Sequence, residues 1–153
     1  MLGEDRAGDK PELPPEGSIE LLRQPLPDLD SPLHTVHLLD HDSEILLFLF
    51  DFLSNAGFQV SASSNSGDAL DYLARSHPEI LIAAMEMPEM TGNELLQRVR
   101  DLSPSTRVIL TTIRGDWSAY EDVLRGGGAD LVVKPIKGMA LLRTMDRVLA
   151  KLG

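Results

Sequence analysis

The amino-acid sequence predicts an α/β protein built on one doubly wound, five-stranded parallel sheet. Strand-like and helix-like segments alternate five times from residue 34 onward, as expected of right-handed βαβ units. Residues 80–84 form a continuous apolar run, which is typical of a parallel strand buried on both faces, and residues 108–112 form another largely apolar strand. The chain has 153 residues, so it can form one domain with a core of its own.

Local sequence patterns define each element in turn. The predicted strands are residues 35–39, 58–62, 80–84, 108–112 and 131–133, and the predicted helices are residues 43–56, 66–75, 93–102, 117–125 and 139–152. The first helix stops at Gly57, a favourable residue just past a helix C-terminus. Gly126, Gly127 and Gly128 close the fourth helix. They lack the spaced lysine and serine of a phosphate-binding loop, so we interpret them as a helix stop.

A five-stranded doubly wound sheet most often has the strand order 2-1-3-4-5, the flavodoxin-like arrangement. Ligands then bind at the carboxyl ends of strands 1 and 3, where the order reverses. In this chain Asp40, His41 and Asp42 follow the first of these strands, whereas Ala84 ends the third and is followed by Met85 and Glu86. The pattern therefore predicts a functional site at this edge of the sheet.

Composition and charge exclude several classes of protein. The chain has no cysteine, so disulfides and thiolate metal sites are excluded. No apolar run reaches the roughly 18 residues of a membrane span, and the acidic N-terminus does not resemble a secretory signal. We therefore expect a cytoplasmic protein that does not bind membranes. A net charge of −10 repels phosphate backbones, so we expect no direct nucleic-acid binding.

Residues 1–33 differ from the rest of the chain. They contain six of the ten prolines and carry a net charge of −5, from eight acidic and three basic side chains. Proline prevents a continuous helix, so we predict an acidic, largely disordered extension, followed by a domain over residues 34–153. Within the extension, Ile19, Leu21 and Leu22 lie between two proline clusters, and we expect them to cover an apolar face elsewhere in the protein.

Four motifs in residues 34–153 resemble those of the receiver domain of two-component response regulators. They are an apolar strand ending in acidic Asp40, the sequence Met-Pro-Glu-Met-Thr-Gly at residues 87–92, a strand ending in Thr112, and a strand followed by Lys134 and Pro135. Their order and spacing match the family. The resemblance implies the (βα)5 fold and a cis peptide bond between Lys134 and Pro135.

The resemblance also implies a chemistry, namely phosphoryl transfer from a histidine kinase to an aspartate at the end of the third strand. In the family, two acidic residues hold Mg²⁺, a metal that prefers oxygen ligands. A lysine and a threonine contact the phosphoryl group. In this chain Asp40, Thr112 and Lys134 match the acidic, hydroxyl and lysine positions.

Three positions depart from the family pattern. Ala84 lies four residues before Pro88, where the family has its phosphoacceptor aspartate. His41 occupies the second acidic position, and imidazole is a poor ligand for Mg²⁺. Leu131 stands where the family has a tyrosine or phenylalanine. We therefore expect a degenerate phosphorylation site, with no required cofactor and at most weak Mg²⁺ binding through Asp40.

Other interpretations of the site stay open. Ala84 can be an engineered substitution in a working Mg²⁺-dependent phosphoacceptor, in which case a histidine kinase is a partner. Asp40-His41-Asp42 also matches the D-x-D motif of haloacid-dehalogenase-type phosphatases, but the chain lacks that family's later acidic pair. Our preferred interpretation is a non-enzymatic signalling domain.

Two hypotheses concern individual charged groups. Glu86 either pairs with Lys134 in place of the missing aspartate or is a solvated loop residue, and we expect Lys134 to pair with Asp40, because a partly buried ammonium needs a partner. His34 and His37 point to opposite faces of a strand, so we interpret them as structural or surface residues rather than as metal ligands.

The first helix predicts an interaction surface. Its expected inward stripe is formed by Ile45, Phe48, Leu49, Phe52 and Leu53. Leu46, Leu47 and Phe50 then face outward at helical spacing, and an exposed apolar cluster of this size marks a contact surface. We expect it to bind a protein partner, a second copy in a homodimer, or the apolar residues of the extension.

Overall fold

The computed structural model describes residues 33–151. The five strands are β1 (Thr35–Leu39), β2 (Gln59–Ser63), β3 (Ile80–Ala84), β4 (Arg107–Thr112) and β5 (Asp130–Val133). The five helices are α1 (Ser43–Asn55), α2 (Ser66–Ser76), α3 (Gly92–Leu102), α4 (Trp117–Arg125) and α5 (Gly138–Ala150). The strands are parallel and adopt the order β2-β1-β3-β4-β5, which confirms the predicted fold class.

Residue pairing aligns the carboxyl ends of the strands at one edge of the sheet. Leu39 of β1 is opposite Ala83 of β3, and Ala84 is opposite Thr111 of β4. Thr112 is in turn opposite Val133 of β5. The residues that follow β1 and β5 therefore lie beside the last residues of β3 and β4, as the site prediction requires.

The sheet separates two apolar layers of buried side chains. One layer packs β3 and β4 against α2, α3 and α4, and the other packs the opposite face of the sheet against α1 and α5. All five residues of β3 are buried. By contrast, the edge strand β2 is only half-buried, because one strand rather than two covers its sides.

Most predicted boundaries lie within one or two residues of the observed ones, and the differences follow from capping. Helix α3 begins one residue earlier than predicted because the Thr91 side chain accepts from the Glu94 backbone N–H, while the Glu94 side chain accepts from the Thr91 backbone N–H. This reciprocal pair satisfies two backbone donors that a helix start otherwise leaves open. Gly57, with φ of 100°, follows α1 as predicted.

The outward face of α1 differs from the prediction. Leu47 and Phe50 are exposed as expected, but Leu46 is half-buried against the apolar layer beneath α1. Phe48, expected to point inward, is 46% exposed and stacks on Phe52 at 5.8 Å. The prediction was wrong because helix periodicity defines a stripe but not its rotation toward the sheet, which depends on tertiary packing.

Residues 1–32 of the proposed extension lie outside the described residues, as does their expected contact with α1. Within the described part of the chain, no helix combines the length and the apolar composition that crossing a membrane requires.

Candidate functional site

The predicted site residues meet at the carboxyl ends of the strands. Asp40 follows β1, Ala84 ends β3, Thr112 ends β4 and Lys134 follows β5. The Lys134–Pro135 peptide bond is cis, as predicted. Since the four strand ends are adjacent in the sheet, four parts of the sequence separated by up to 94 residues contribute to one small cluster.

The charged half of the cluster is an ion pair between Asp40 and Lys134. The Lys134 ammonium donates to Asp40 Oδ2 at 2.9 Å, which is the predicted pairing. Asp40 Oδ1 accepts from the backbone N–H of Asp42 at 3.0 Å. The Asp40 side chain is only 5% exposed, so both of its oxygens have protein partners in a nearly buried position, as a buried carboxylate requires.

The phosphoacceptor position is apolar. Ala84 is 2% exposed, and its methyl group belongs to the apolar layer that includes Leu39 and Leu110. The neighbouring Met85 backbone N–H donates to the Thr111 carbonyl at 2.7 Å, which fixes the main chain at the end of β3. This position offers no oxygen that can attack a phosphorus atom.

Glu86 contacts Thr112 rather than Lys134. The Thr112 hydroxyl donates to Glu86 Oε2 at 2.5 Å and accepts from the Arg114 backbone N–H at 3.0 Å. Glu86 is an exposed loop residue, as the solvated alternative expected, and it does not pair with Lys134. Its carboxylate also accepts the Thr112 hydroxyl, which neither hypothesis included. The shared bond connects the loop after β3 to the loop after β4.

Glu89 anchors the same loop on its other side. Its Oε1 accepts from the backbone N–H of Ser66 at 3.2 Å and from the Ser66 hydroxyl at 3.0 Å. Both bonds lower the pKa of Glu89 below its usual value, and the bond from the Ser66 backbone N–H has the larger effect. The loop is thus tied to α2 by Glu89 and to β4 by Glu86. We did not predict the Glu89 contact, since only the Met-Pro-Glu-Met spacing hinted at a structured loop.

The donor set does not suit Mg²⁺. Mg²⁺ requires near-octahedral oxygen ligands, whereas Asp40 uses both oxygens for Asp42 and Lys134. His41 is the neighbouring side chain, with Nδ1 at 3.8 Å from Asp40 Oδ1, and it is half exposed. Within residues 33–151, no group of three or more histidine, aspartate or glutamate side chains is arranged to hold a metal.

The two acidic residues of the Asp-His-Asp motif have separate structural roles. Asp40 pairs with Lys134, whereas the Asp42 side chain caps α1 by accepting from the Glu44 backbone N–H at 3.0 Å. In a haloacid-dehalogenase-type site both carboxylates would act at one centre. The phosphatase hypothesis therefore gains no support from this geometry.

His34 lies just before β1 and His37 lies within it, and the two side chains have different surroundings. His34 is exposed and contacts Glu79 at 2.7 Å. His37 is buried, and its two ring nitrogens contact the hydroxyl groups of Ser61 and Ser63, each at 2.7 Å. Burial lowers the pKa of His37 to about 4, so its imidazole is neutral near pH 7.

A family model for the response regulator receiver domain matches residues 36–146. The chain belongs to the response regulator receiver domain family. Receiver domains act in two-component signalling, where they interact with histidine kinases and other proteins. Leu131 of this receiver packs half-buried against the apolar layer under α4, where the resemblance implied an aromatic residue.

Curated relatives include both short and long proteins. The receiver is 25% identical over 117 residues to the chemotaxis protein CheY of Bacillus subtilis, covering 76% of this chain and 98% of that protein. It is 33% identical over 112 residues to the response regulator protein FleR of Pseudomonas aeruginosa, covering 73% of this chain and 24% of FleR. The match thus spans nearly all of CheY but only a quarter of FleR.

Solved structures share the fold. A CheY-like receiver domain protein from Methanospirillum hungatei superposes with a TM-score of 0.74 at 22% identity, covering 79% of this chain and 97% of that one. The receiver domain of an HD domain-containing protein from Pseudomonas fluorescens gives a TM-score of 0.72 at 26% identity, covering 79% and 98%.

Proposed function

We propose that this receiver is atypical: it has lost aspartyl phosphorylation and acts through protein–protein contacts, without enzymatic activity. The observation that carries this proposal is the buried methyl group of Ala84 at the phosphoacceptor position. Phosphoryl transfer needs a carboxylate oxygen in line with the phosphorus, and a displacement of about 1 Å can cost roughly a hundredfold in rate.

The partners of the remaining site residues support the same proposal. Asp40 is engaged by Lys134, and Thr112 is engaged by Glu86. These contacts satisfy the charged and hydroxyl groups within the protein, so the site needs neither a phosphoryl group nor a metal to be stable. Weak Mg²⁺ binding through Asp40 and the cytoplasmic location stay predictions.

Exposed apolar side chains beside the site suit a protein partner. Ile113 and Trp117, which follow Thr112, are 71% and 70% exposed, and Val133 precedes Lys134 and is 45% exposed. On α1, Leu47, Phe48 and Phe50 form a second exposed apolar set. Large apolar side chains concentrated in this way are typical of contact surfaces.

The second candidate function is a working Mg²⁺-dependent phosphoacceptor in which Ala84 is an engineered substitution for the aspartate. The retained positions of Asp40, Thr112 and Lys134 favour it. The test is a titration with beryllium fluoride and Mg²⁺, followed by amide chemical shifts at these three residues. We expect no saturable shifts in the chain with Ala84.

The variant Ala84→Asp separates the two candidates, with Ala84→Asn as its uncharged control. If Ala84→Asp shows saturable shifts and Ala84→Asn does not, the loss of beryllium fluoride binding is due to this one residue. The absence of shifts in Ala84→Asp would implicate His41 as well, and the double variant Ala84→Asp/His41→Asp would then be needed to restore binding. Saturable shifts in the chain with Ala84 would overturn the atypical assignment.

A further inference from the structure

A groove with a methionine floor lies beside the site, between the loop after β3, the start of α3 and the side of α4. Its volume is about 380 Å³, within the range of ligand-binding clefts. Met85, Met87 and Met90 supply apolar surface, and Glu86 and Asp122 supply carboxylates. We call this the methionine groove.

The groove depends on a close approach of α3 to the sheet. A Cβ atom at Gly92 would lie 3.0 Å from Cγ of Met85 and 3.1 Å from Cδ1 of Leu110. A side chain at this position would require Met85 or Leu110 to shift by a few tenths of an ångström, so glycine favours this close approach. Met85 and Met90 are half-buried and pack on the apolar layer below them. Part of each side chain is therefore held by the core, and the rest is accessible to a ligand. Unbranched thioether side chains adapt to apolar partners of different shapes.

The charged side chains that line the methionine groove are all acidic. Its described lining includes the carboxylates of Glu86 and Asp122 and no lysine or arginine. A neighbouring cavity of about 470 Å³ shares Asp122 but is lined by Arg100 and Arg125. Among the residues from 33 to 151, neither Glu86 nor Asp122 forms an ion pair. The surface between α3 and α4 thus changes from acidic to basic along its length.

We propose that the methionine groove docks a cationic amphipathic segment of a partner protein. An apolar side chain of the segment packs on the methionines, and a lysine or arginine beside it is attracted by Glu86 and Asp122. The inference rests on the proposed function, for which it supplies a partner surface. A second copy of the chain is a poor occupant, because two molecules of net charge −10 repel one another.

Docking in the groove acts on the degenerate site through Glu86. This carboxylate lines the groove and also accepts the hydrogen bond from Thr112. A cation bound at Glu86 competes with Thr112 for the negative charge of the carboxylate. Binding in the groove therefore perturbs the end of β4 and the exposed Ile113 that follows it.

Methionine methyl groups provide a direct test. The chain, labelled with ¹³C at its methionine methyl groups, is titrated with a synthetic amphipathic peptide of leucine and lysine. We expect saturable shifts at Met85, Met87 and Met90. Met139, which is 62% exposed on α5, should not shift, and a matched peptide of leucine and glutamate should shift none of these methyl groups.

Variants measure the contribution of each part of the groove. Asp122→Asn should weaken binding of the leucine–lysine peptide roughly two- to fivefold, as expected for an exposed ion pair. Met90→Ala should weaken it about tenfold through lost apolar contact. Asp101→Asn, which removes an exposed carboxylate of α3 outside the groove, is the matched control and should leave affinity unchanged. Circular dichroism checks that every variant is folded.

Several outcomes would overturn the inference. Shifts at Met139 equal to those in the groove, or equal losses in Asp122→Asn and Asp101→Asn, would show general attraction to an acidic protein. The absence of saturable shifts would exclude docking of this class of segment. Shifts that depend on protein concentration without peptide would assign the groove to a second copy. The titration uses no phosphodonor, so it can fail while the atypical assignment holds, and the reverse is equally possible.

Discussion

Two buried titratable side chains three residues apart, one in strand β1 and one just past its end, avoid an unpaired charge in different ways. His37 lies in the middle of the strand between the hydroxyl groups of Ser61 and Ser63, and burial keeps it neutral. Asp40 lies just past the end of the strand and pairs with Lys134. The interior of the sheet thus contains a neutral polar group, and its carboxyl edge contains a buried ion pair.

This difference bears on the proposed loss of phosphorylation. A buried carboxylate requires a cation or several hydrogen-bond donors. At the edge of the sheet the protein supplies these itself through Lys134 and the Asp42 backbone. The charges of the receiver site therefore persist as an internal pair that requires no ligand. Removing one partner, or changing the pH, should affect the middle of β1 and the carboxyl edge of the sheet differently.

The largest expected effect on the free energy of unfolding comes from removing the Lys134 cation at the carboxyl edge of the sheet. Lys134→Met should lower the free energy of unfolding by about 3 kcal/mol, because it leaves the Asp40 carboxylate buried and unpaired. Urea denaturation at pH 7 measures this loss. The double variant Asp40→Asn/Lys134→Met should recover most of it, since neither charge remains. A loss below about 0.5 kcal/mol, as for an exposed pair, would mean that Asp40 is well solvated.

The neutral group in the middle of the strand gives a pH-dependent effect. The pKa of His37 falls from 6.5 to about 4 on folding. Between these values the unfolded chain binds a proton that the folded protein excludes, so stability is complete above pH 6.5 and is lost as the pH falls toward 4. We expect a loss of about 2 kcal/mol from this group, after allowance for partial solvent screening.

Carboxyl groups titrate in the same pH range. The contribution of His37 to the pH dependence of stability is therefore obtained by comparing the chain with a variant that lacks this imidazole. Urea denaturation is measured from pH 7 to pH 4 for the natural chain and for His37→Gln, which removes the titrating imidazole. The natural chain should lose more stability than the variant over this range. Parallel pH profiles would show that His37 does not resist protonation, and the contrast with Asp40 would disappear.

Much of this contrast follows from the sequence, for identifiable reasons. Continuous apolar runs and alternating elements predict the strand order, and that order brings Asp40, Ala84, Thr112 and Lys134 to one edge. The pairing of Lys134 with Asp40 was predictable because a partly buried ammonium needs a partner. These predictions depend on topology and on strong local patterns, which tolerate boundary shifts of one or two residues.

The unpredicted features depend on how side chains and loops are oriented. Glu86 reaches Thr112 instead of Lys134, and no spacing in the sequence distinguishes two groups at adjacent strand ends. Phe48 and Leu46 exchanged their expected exposures because the rotation of α1 is decided by packing against the sheet. The bonds from Glu89 to Ser66 depend on the path of a loop, which has no periodic pattern.

The smallest effect concerns the bond between the two loops. Glu86→Ala removes the acceptor of the buried Thr112 hydroxyl and should lower the free energy of unfolding by about 1 kcal/mol. Asp101→Ala removes an exposed carboxylate of α3 and should change stability by less than about 0.5 kcal/mol. Urea denaturation compares the two. Equal effects would mean that the hydrogen bond contributes nothing beyond the general charge of the surface.

Incubation with acetyl phosphate and Mg²⁺, followed by intact-mass measurement, tests the loss of phosphorylation most directly. The variant Ala84→Asp, treated in parallel, shows whether the remaining site can still support transfer. For the natural chain we expect a single unmodified mass, because Ala84 provides no attacking oxygen. A stoichiometric adduct of about 80 Da on the natural chain, the mass of one phosphoryl group, would contradict a receiver that works without phosphorylation.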